Sequence, residues 1–372
     1  MPAATTSPLC PAAYHQADWL ERERSAIFEK CWLFAGLSAQ LARPGDFVTM
    51  DACGWPVLVY CGENGLRAFR NVCSHRFSEL CSVPCGHGSI RCRYHGWTYD
   101  ESGHATGIPG QRELFQLDEQ QRNSLALKRY QVDRCGSFVF IRLSENGPSL
   151  HEYLGEYALV LESLGRTFSL PFVTDSQDWA ANWKQGVENT IEPYHTEFVH
   201  RDTLIAVVES HGETVLGDGH SRISHRLFPA AQNWWANMLA STQLQPCRDF
   251  EHYHHFFIYP NLCLGLTNGS LLSIQTFEPT SADACRLSFR LLLPNSDDAT
   301  GKLTSARMAL SGYLEEFNQC VLAEDRGPVE ACQRGVRSAS SNAILGATEQ
   351  RILAFHQRLT REIAAESPTI AG

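Results

Sequence analysis

Cys73-Ser-His75 and Cys92-Arg-Tyr-His95 decide how this chain is read. Each clip offers one thiol and one imidazole toward a common point. Four such donors suit a tetrahedral zinc ion. They also suit a two-iron, two-sulfide cluster in which two Cys hold one iron and two His hold the other. A classical zinc finger groups Cys with Cys and His with His, whereas each clip here mixes them. Gly86, Gly88 and Gly96 lie close to the donors, and glycine lets backbone approach a cluster. Backbone N–H groups near the sulfurs help to set a cluster's potential. The mixed [2Fe–2S] centre is therefore the favoured reading, and structural zinc the alternative.

The text around the clips reads as strands. Phe47-Val-Thr-Met, Val57-Leu-Val-Tyr and Arg67-Ala-Phe-Arg are short β runs separated by turns such as Glu63-Asn-Gly65. Trp97 to Gly103 reads as a hairpin and Ser137 to Leu143 as a strand. A helix is expected over 17–32, with Trp19, Leu20, Ile27 and Phe28 near one face. Residues 35–150 thus form a small antiparallel β domain with both clips on loops. After Pro148 the pattern changes. Helical segments are expected over 149–165 and 182–200, and strands at 222–228, 252–259, 271–277 and 286–293. A long helix starts near 304. Residues 1–34 and 151–372 are assigned to a second domain, an antiparallel sheet covered by helices, and the fold class is α+β.

The second domain carries Glu192-x2-His195-x4-His200. Two neutral imidazoles and one carboxylate with open positions make a non-haem Fe(II) site. The carboxylate need not be local, and an acidic pair, Glu324-Asp325, lies in the long C-terminal helix. On one ideal helix His195 and His200 would point about 140° apart, after five steps of roughly 100°. Sharing a metal requires a bulge, a turn or a helix end there.

Together these stretches resemble the α subunits of Rieske oxygenases. The resemblance rests on Asn71-Val-Cys-Ser-His-Arg76 and Ile90-Arg-Cys-Arg-Tyr-His-Gly-Trp97. It continues through Asn182-Trp-Lys, Glu188-Asn189, Glu192-x2-His195-x4-His200, Glu324-Asp325 and Gln333-Arg-Gly335. It implies that Cys73, His75, Cys92 and His95 hold a Rieske [2Fe–2S] cluster. It implies that His195, His200 and Asp325 hold a mononuclear Fe(II), with Glu192 and Asn189 as catalytic residues. Glu192 matches an acid that bridges the iron site to the cluster of a neighbouring subunit, through His95 there. It implies a homotrimer. Two positions depart from the pattern. Phe77 stands where the family usually has Gly. Glu192 stands where Asp is commoner, which resembles the monooxygenases of quaternary ammonium compounds such as carnitine.

The resemblance implies a terminal oxygenase that activates O2 to hydroxylate or N-dealkylate a small organic molecule. A ring-hydroxylating oxygenase of an aromatic acid or amine is the alternative, and an electron carrier using only the Rieske domain is the reading from another class. The chain has no G-x-G-x-x-G opening a strand–helix unit and no second Cys set, so an NAD(P)H-dependent flavin and iron–sulfur reductase is expected as partner, with or without a ferredoxin. A net charge of −10 argues against nucleic acid or an anionic membrane as partner. The N-terminus lacks a basic and apolar leader, so the expected location is the cytoplasm. Fourteen Cys are too sparse for a disulfide scaffold. Trp234, Trp235, Tyr253, Phe256 and Phe257 are candidates to cage a cation or line an aromatic slot. In His252-Tyr-His-His255 strand alternation puts the imidazoles on different faces, as structural or pocket groups.

Overall fold

The computed structural model describes residues 4–295 and 305–366. It falls into two compact units, Phe28–Leu161 and the residues on either side, up to Ile27 and from Glu162. These boundaries lie outside 35 and 150 on both sides.

The Phe28–Leu161 unit is built on β1 (Leu33–Leu37), β2 (Asp46–Asp51), β3 (Pro56–Gly62), β4 (Gly65–Arg70) and β5 (Cys85–His87). A small hairpin, β6 (Thr98–Tyr99) with β7 (Ala105–Gly107), precedes β8 (Arg129–Cys135) and β9 (Phe138–Arg142). The seven-stranded sheet runs in the order β1-β9-β8-β4-β3-β2-β5. Every pairing is antiparallel. The two clips leave the ends of β4 and β5 and close on a common core. That core holds Leu58, Phe69, Leu80, Ile90, Trp97, Tyr99 and Leu127, with both Cys73 and Cys92 buried among them.

The other unit begins with α1 (Ala17–Glu23), which passes into a π-helical turn at Arg24–Phe28. The single helix expected over 17–32 is therefore shorter and changes pitch. Its sheet contains β10 (Pro171–Trp179), β11 (Val208–Leu216), β12 (Ser221–Leu227), β13 (Tyr253–Ile258), β14 (Leu262–Thr267), β15 (Leu271–Ser281) and β16 (Ala284–Leu292). They pair antiparallel in the order β10-β16-β15-β14-β13-β12-β11. Its further helices include α2 (Trp183–Ile191), the single turn α3 (Thr196–Val199), α4 (Pro229–Thr242), α5 (Ser305–Val336) and α6 (Gln350–Glu366). Residue 304, the expected start of α5, lies outside the described residues. Among the described residues no helix is long and apolar enough to cross a membrane.

The expected helix over 182–200 is broken. Glu192 is extended, at φ −120° and ψ 142°. Pro193 follows it, and proline's ring disfavours helical backbone in the residue before it. The α2 helix is fixed instead from its start. Asn182 caps it by accepting from the Lys184 amide at 3.0 Å. Lys184 Nζ and Trp183 Nε1 both donate to the Glu23 carboxylate of α1, at 2.6 and 2.8 Å. Gln333 of α5 accepts from the Asn182 amide at 2.9 Å and donates to the Tyr14 carbonyl at 2.9 Å. Asn182-Trp-Lys and Gln333 thus anchor the helix that carries the site, rather than line it.

Candidate metal centres and active site

In the β unit the thiols of Cys73 and Cys92 are about 1 % exposed, whereas His95 is exposed. The His75 and His95 rings meet edge to face at 4.6 Å, and Trp97 stacks on His75 at 4.8 Å. His75 Nδ1 is buried with no hydrogen-bond partner. Burial and the neighbouring His95 and Arg76 hold the His75 pKa below its usual value, which keeps the ring neutral. The Tyr99 hydroxyl lies 3.2 Å from Cys73 Sγ and accepts from the Ser74 amide at 3.0 Å. Burial raises the Cys73 thiol pKa. Burial also works against ionising Cys92, but hydrogen bonds from the Tyr94 and His95 amides outweigh it and lower that pKa. Two buried, differently poised sulfurs facing two imidazoles, one with an orphaned ring nitrogen, fit a Rieske cluster.

The second site forms where the chain leaves α2. His195 sits at the start of α3 and His200 at its end, where φ −99° and ψ 44° depart from the helix. One turn bounded by two breaks brings the imidazoles together, which a continuous helix does not. Their Nε2 atoms are 3.2 Å apart. Asp325 Oδ1, from α5, lies 3.0 Å from His200 Nε2 and 3.6 Å from His195 Nε2. That oxygen is buried and makes no well-formed hydrogen bond. His195, His200 and Asp325 form one of two metal-competent clusters found among the described residues. Their convergence on one point fits a divalent iron with open positions.

Two further carboxylates orient the imidazoles from behind. Glu192 receives His195 Nδ1, with the Tyr194 and His195 amides also directed at it. Glu324 accepts from His200 Nδ1 at 2.7 Å and from the Thr203 hydroxyl at 2.6 Å. Such partners fix the ring tautomer, so that both Nε2 atoms present lone pairs to a metal. Burial opposes protonation of His200, but Asp325 and Glu324 outweigh it and raise its pKa. The pocket therefore attracts positive charge. Glu324 stood in the sequence only as one half of the acidic pair, with no role of its own. Its only signal was its place beside Asp325. Pro328 lies four residues on, where it removes the helical hydrogen bond to the Glu324 carbonyl.

A cavity of about 1030 Å³ opens beside these donors. Asn189 lines it, as do Trp234, Trp235 and Tyr253. Trp235 is only 4 % exposed and belongs also to an apolar cluster with Leu227, Leu244 and Leu314. Phe256 and Phe257 are fully buried and do not line the cavity, so they are core residues rather than cage candidates. In the 252–255 stretch Tyr253 and His255 face the cavity, while His254 packs beside Phe250 and Phe256. Tyr313 and Phe317 of α5 complete the aromatic wall, with the Trp234 and Tyr313 rings 5.4 Å apart.

The model of the ring hydroxylating alpha subunit (catalytic domain) matches residues 164–365, and that of the Rieske [2Fe-2S] domain matches residues 31–127. The chain belongs to the ring-hydroxylating alpha-subunit family. As a member it is the terminal oxygenase component of a Rieske system, an oxidoreductase that uses O2, with a [2Fe–2S] cluster and a mononuclear iron. The oxygenase subunit of carnitine monooxygenase from Acinetobacter pittii is 27 % identical over 339 residues, covering 87 % of this chain and 84 % of the relative. The oxygenase subunit of glycine betaine monooxygenase from Pseudomonas aeruginosa is 34 % identical over 195 residues, 51 % of this chain and 44 % of that one. The crystal structure of the quaternary ammonium Rieske monooxygenase CntA with L-carnitine shares the fold, at a TM-score of 0.79 and 22 % identity over 97 % of this chain and 96 % of that one.

Proposed function

We propose that this oxygenase is a monooxygenase of a small alkylammonium compound, hydroxylating it or removing an N-alkyl group by oxidation. The observation that carries the reading is the charge of the cavity. Glu192, Glu197, Glu209 and Asp325 line it, and Arg351 is the one Lys or Arg among its described lining residues. Trp234, Tyr313 and Phe317 add π faces that attract a cation. Relatives named for carnitine and glycine betaine support the same class. Dioxygenation and aromatic hydrocarbon catabolism are the competing reading. The aromatic wall alone would suit a ring as well, but Glu197 and Glu209, which take no part in holding the iron, would not favour an aromatic acid.

Within this proposal Cys73, His75, Cys92 and His95 hold the cluster, and His195, His200 and Asp325 hold the iron. A divalent iron held there would supply O2 activation beside the substrate, and the cluster would supply electrons one at a time. Glu192 and Glu324 sit on the Nδ1 side of His195 and His200, which turns both Nε2 atoms toward the donor point. Asn189, on the last turn of α2, borders the space beside the donors. His95 is exposed, which suits its role as the cluster's outlet to the Glu192 of a neighbouring subunit in a homotrimer. A separate NAD(P)H-dependent flavin and iron–sulfur reductase, with or without a ferredoxin, supplies the electrons, and the cytoplasm is the proposed location.

The test is substrate-dependent O2 uptake with a surrogate reductase over two panels, quaternary amines and aromatic acids. Uptake and an N-dealkylated or singly hydroxylated product by NMR are expected from the amines. Turnover of aromatic acids alone would overturn the substrate class.

A further inference from the structure

The cavity floor carries hydrogen-bonding chemistry that the oxygen-activating site does not use. It is the face of β12 to β15 that shows His225, Tyr253, His255, Gly265 and Ser273. His255 pairs across the sheet with Gly265, and Gly265 with Ser273. His225 pairs with Tyr253, two residues before His255, so the two imidazoles are diagonal neighbours on one face. Gly265 leaves a dip between its neighbours. A β carbon there would meet nothing closer than the Tyr253 hydroxyl at 3.5 Å.

The partners of each ring fix its tautomer. Arg351 Nη2 lies 3.0 Å from His255 Nδ1, and a guanidinium only donates, so that nitrogen accepts. Burial and the adjacent Arg351 hold the His255 pKa well below its usual value, so the ring is neutral and its proton sits on Nε2. His225 is the reverse. Its Nδ1 lies 2.9 Å from the Glu209 carbonyl, which only accepts, and burial lowers its pKa as well. His225 Nε2 is therefore a bare acceptor. Arg351 is itself committed, donating to Ser221 Oγ at 2.9 Å and to the Ile191 carbonyl at 3.1 Å. Near them Ser273 Oγ and, on α5, Asn318 Nδ2 are buried with no hydrogen-bond partner, and both residues line the cavity.

We infer that this floor selects a cation whose other end both donates and accepts a hydrogen bond, a hydroxyl or a primary amide. His255 Nε2–H gives that bond and His225 Nε2 takes one, with Arg351 as the positioning residue that sets the His255 tautomer. A carboxylate can satisfy His255 but meets a lone pair at His225, and Glu197 and Glu209, which hold no metal, also line the cavity. The substrate class is thus a hydroxy- or amido-alkylammonium monocation rather than a betaine-type zwitterion. This rests on the amine-oxygenase reading above and narrows it.

The test uses the iron-loaded holoprotein and four probes that share a trimethylammonium head: choline, betaine amide, glycine betaine and propyltrimethylammonium. Calorimetry gives the affinity of each, and O2 uptake gives turnover. Choline and betaine amide are expected to bind about tenfold tighter than the other two, one well-formed hydrogen bond being worth up to about that factor. His255→Phe keeps a ring of similar size and is expected to erase the preference while propyltrimethylammonium affinity stays put. Arg351→Met leaves His255 Nδ1 without its donor and is expected to narrow the affinity gap between choline and propyltrimethylammonium, a split that a merely structural role would not produce. Should Arg351→Met fail to fold, His255→Phe carries the test alone. Equal affinities for all four probes, or tightest binding of glycine betaine, would overturn the floor's role and leave the amine reading standing. No binding and no uptake with any of the four would overturn both.

Discussion

At the scale of single residues, the second site depends on three donor atoms converging on one point. Asp325 Oδ1 is buried without a well-formed hydrogen bond, and the two Nε2 atoms lie within 3.6 Å of it. Replacing His200 by Ala is expected to remove turnover while the visible spectrum of the Rieske cluster persists. Loss of that spectrum would instead place His200 in the support of the other unit. Glu324→Gln keeps the shape but weakens the acceptor behind His200. Iron affinity at the mononuclear site is expected to fall by about tenfold to a hundredfold, as measured by chelator competition. Phe77 is the other residue with a clear prediction. It adopts φ +61°, a left-handed backbone, with its side chain 82 % exposed. Such a backbone costs a non-glycine residue about 1–2 kcal/mol. Phe77→Gly should therefore raise the denaturation midpoint of the protein, unless the exposed ring packs against a partner in the assembly. The proposed Cys and His donors were legible as residues, because their spacing is a local property, whereas Asp325 was singled out only by the family resemblance. Glu324 and the His225–His255 pair were not legible, since each draws its meaning from a partner far away in sequence.

Among elements, α2 is the one on which the site depends most. The ion pair of Lys184 and Glu23 is buried, with both side chains about 1 % exposed or less. Breaking one half leaves an unpaired buried charge, so Lys184→Met should cost about 3–5 kcal/mol in denaturant unfolding, and adding Glu23→Gln should recover part of it. Gly186 lets α2 lie directly on β15. A β carbon there would fall within 2.5 Å of the Phe277 ring, so Gly186→Ala should destabilise despite alanine's better helix propensity. β15 also carries Glu278, whose pKa burial raises from 4.5 to about 7. A raised carboxylate means that the folded state holds the proton more tightly. Its contribution is full below about pH 4.5 and is lost as pH rises toward 7, so Glu278→Gln should flatten the thermal stability profile across that window. The 182–200 segment marks where reading the sequence stopped short. The need for a break between α2 and the two His followed from helix geometry, but its cause, Pro193 acting on Glu192, emerged only with the backbone. The strands at Pro171–Trp179, Val208–Leu216 and Leu262–Thr267 and the helix α6 went unread as well. Pro171–Trp179 and Val208–Leu216 mix polar and apolar residues without a clean period of two, whereas Leu262, Leu264 and Leu266 alternate and Ile352, Phe355, Leu359 and Ile363 share one buried face of α6, so those two elements were legible in the sequence.

For the whole molecule, the account joins two chemistries in one chain: a cluster that stores an electron and a ligand set left open for O2. The α+β class and its two antiparallel sheets could be foreseen from alternating β runs and the long C-terminal helix, but the seven-stranded order of each sheet could not, since strand order is set by long-range pairing. The proposed homotrimer predicts that mixing Glu192→Gln chains with His95→Ala chains restores part of the activity that each lacks, because one interface in the mixed ring regains both groups. The central claim is that His195, His200 and Asp325 hold an iron separate from the cluster. The most direct measurement is iron and acid-labile sulfide per chain in the wild type and in Asp325→Ala. The account predicts about three iron atoms falling to about two, with about two sulfides in both proteins. Unchanged iron in the variant, or sulfide lost together with iron, would contradict it.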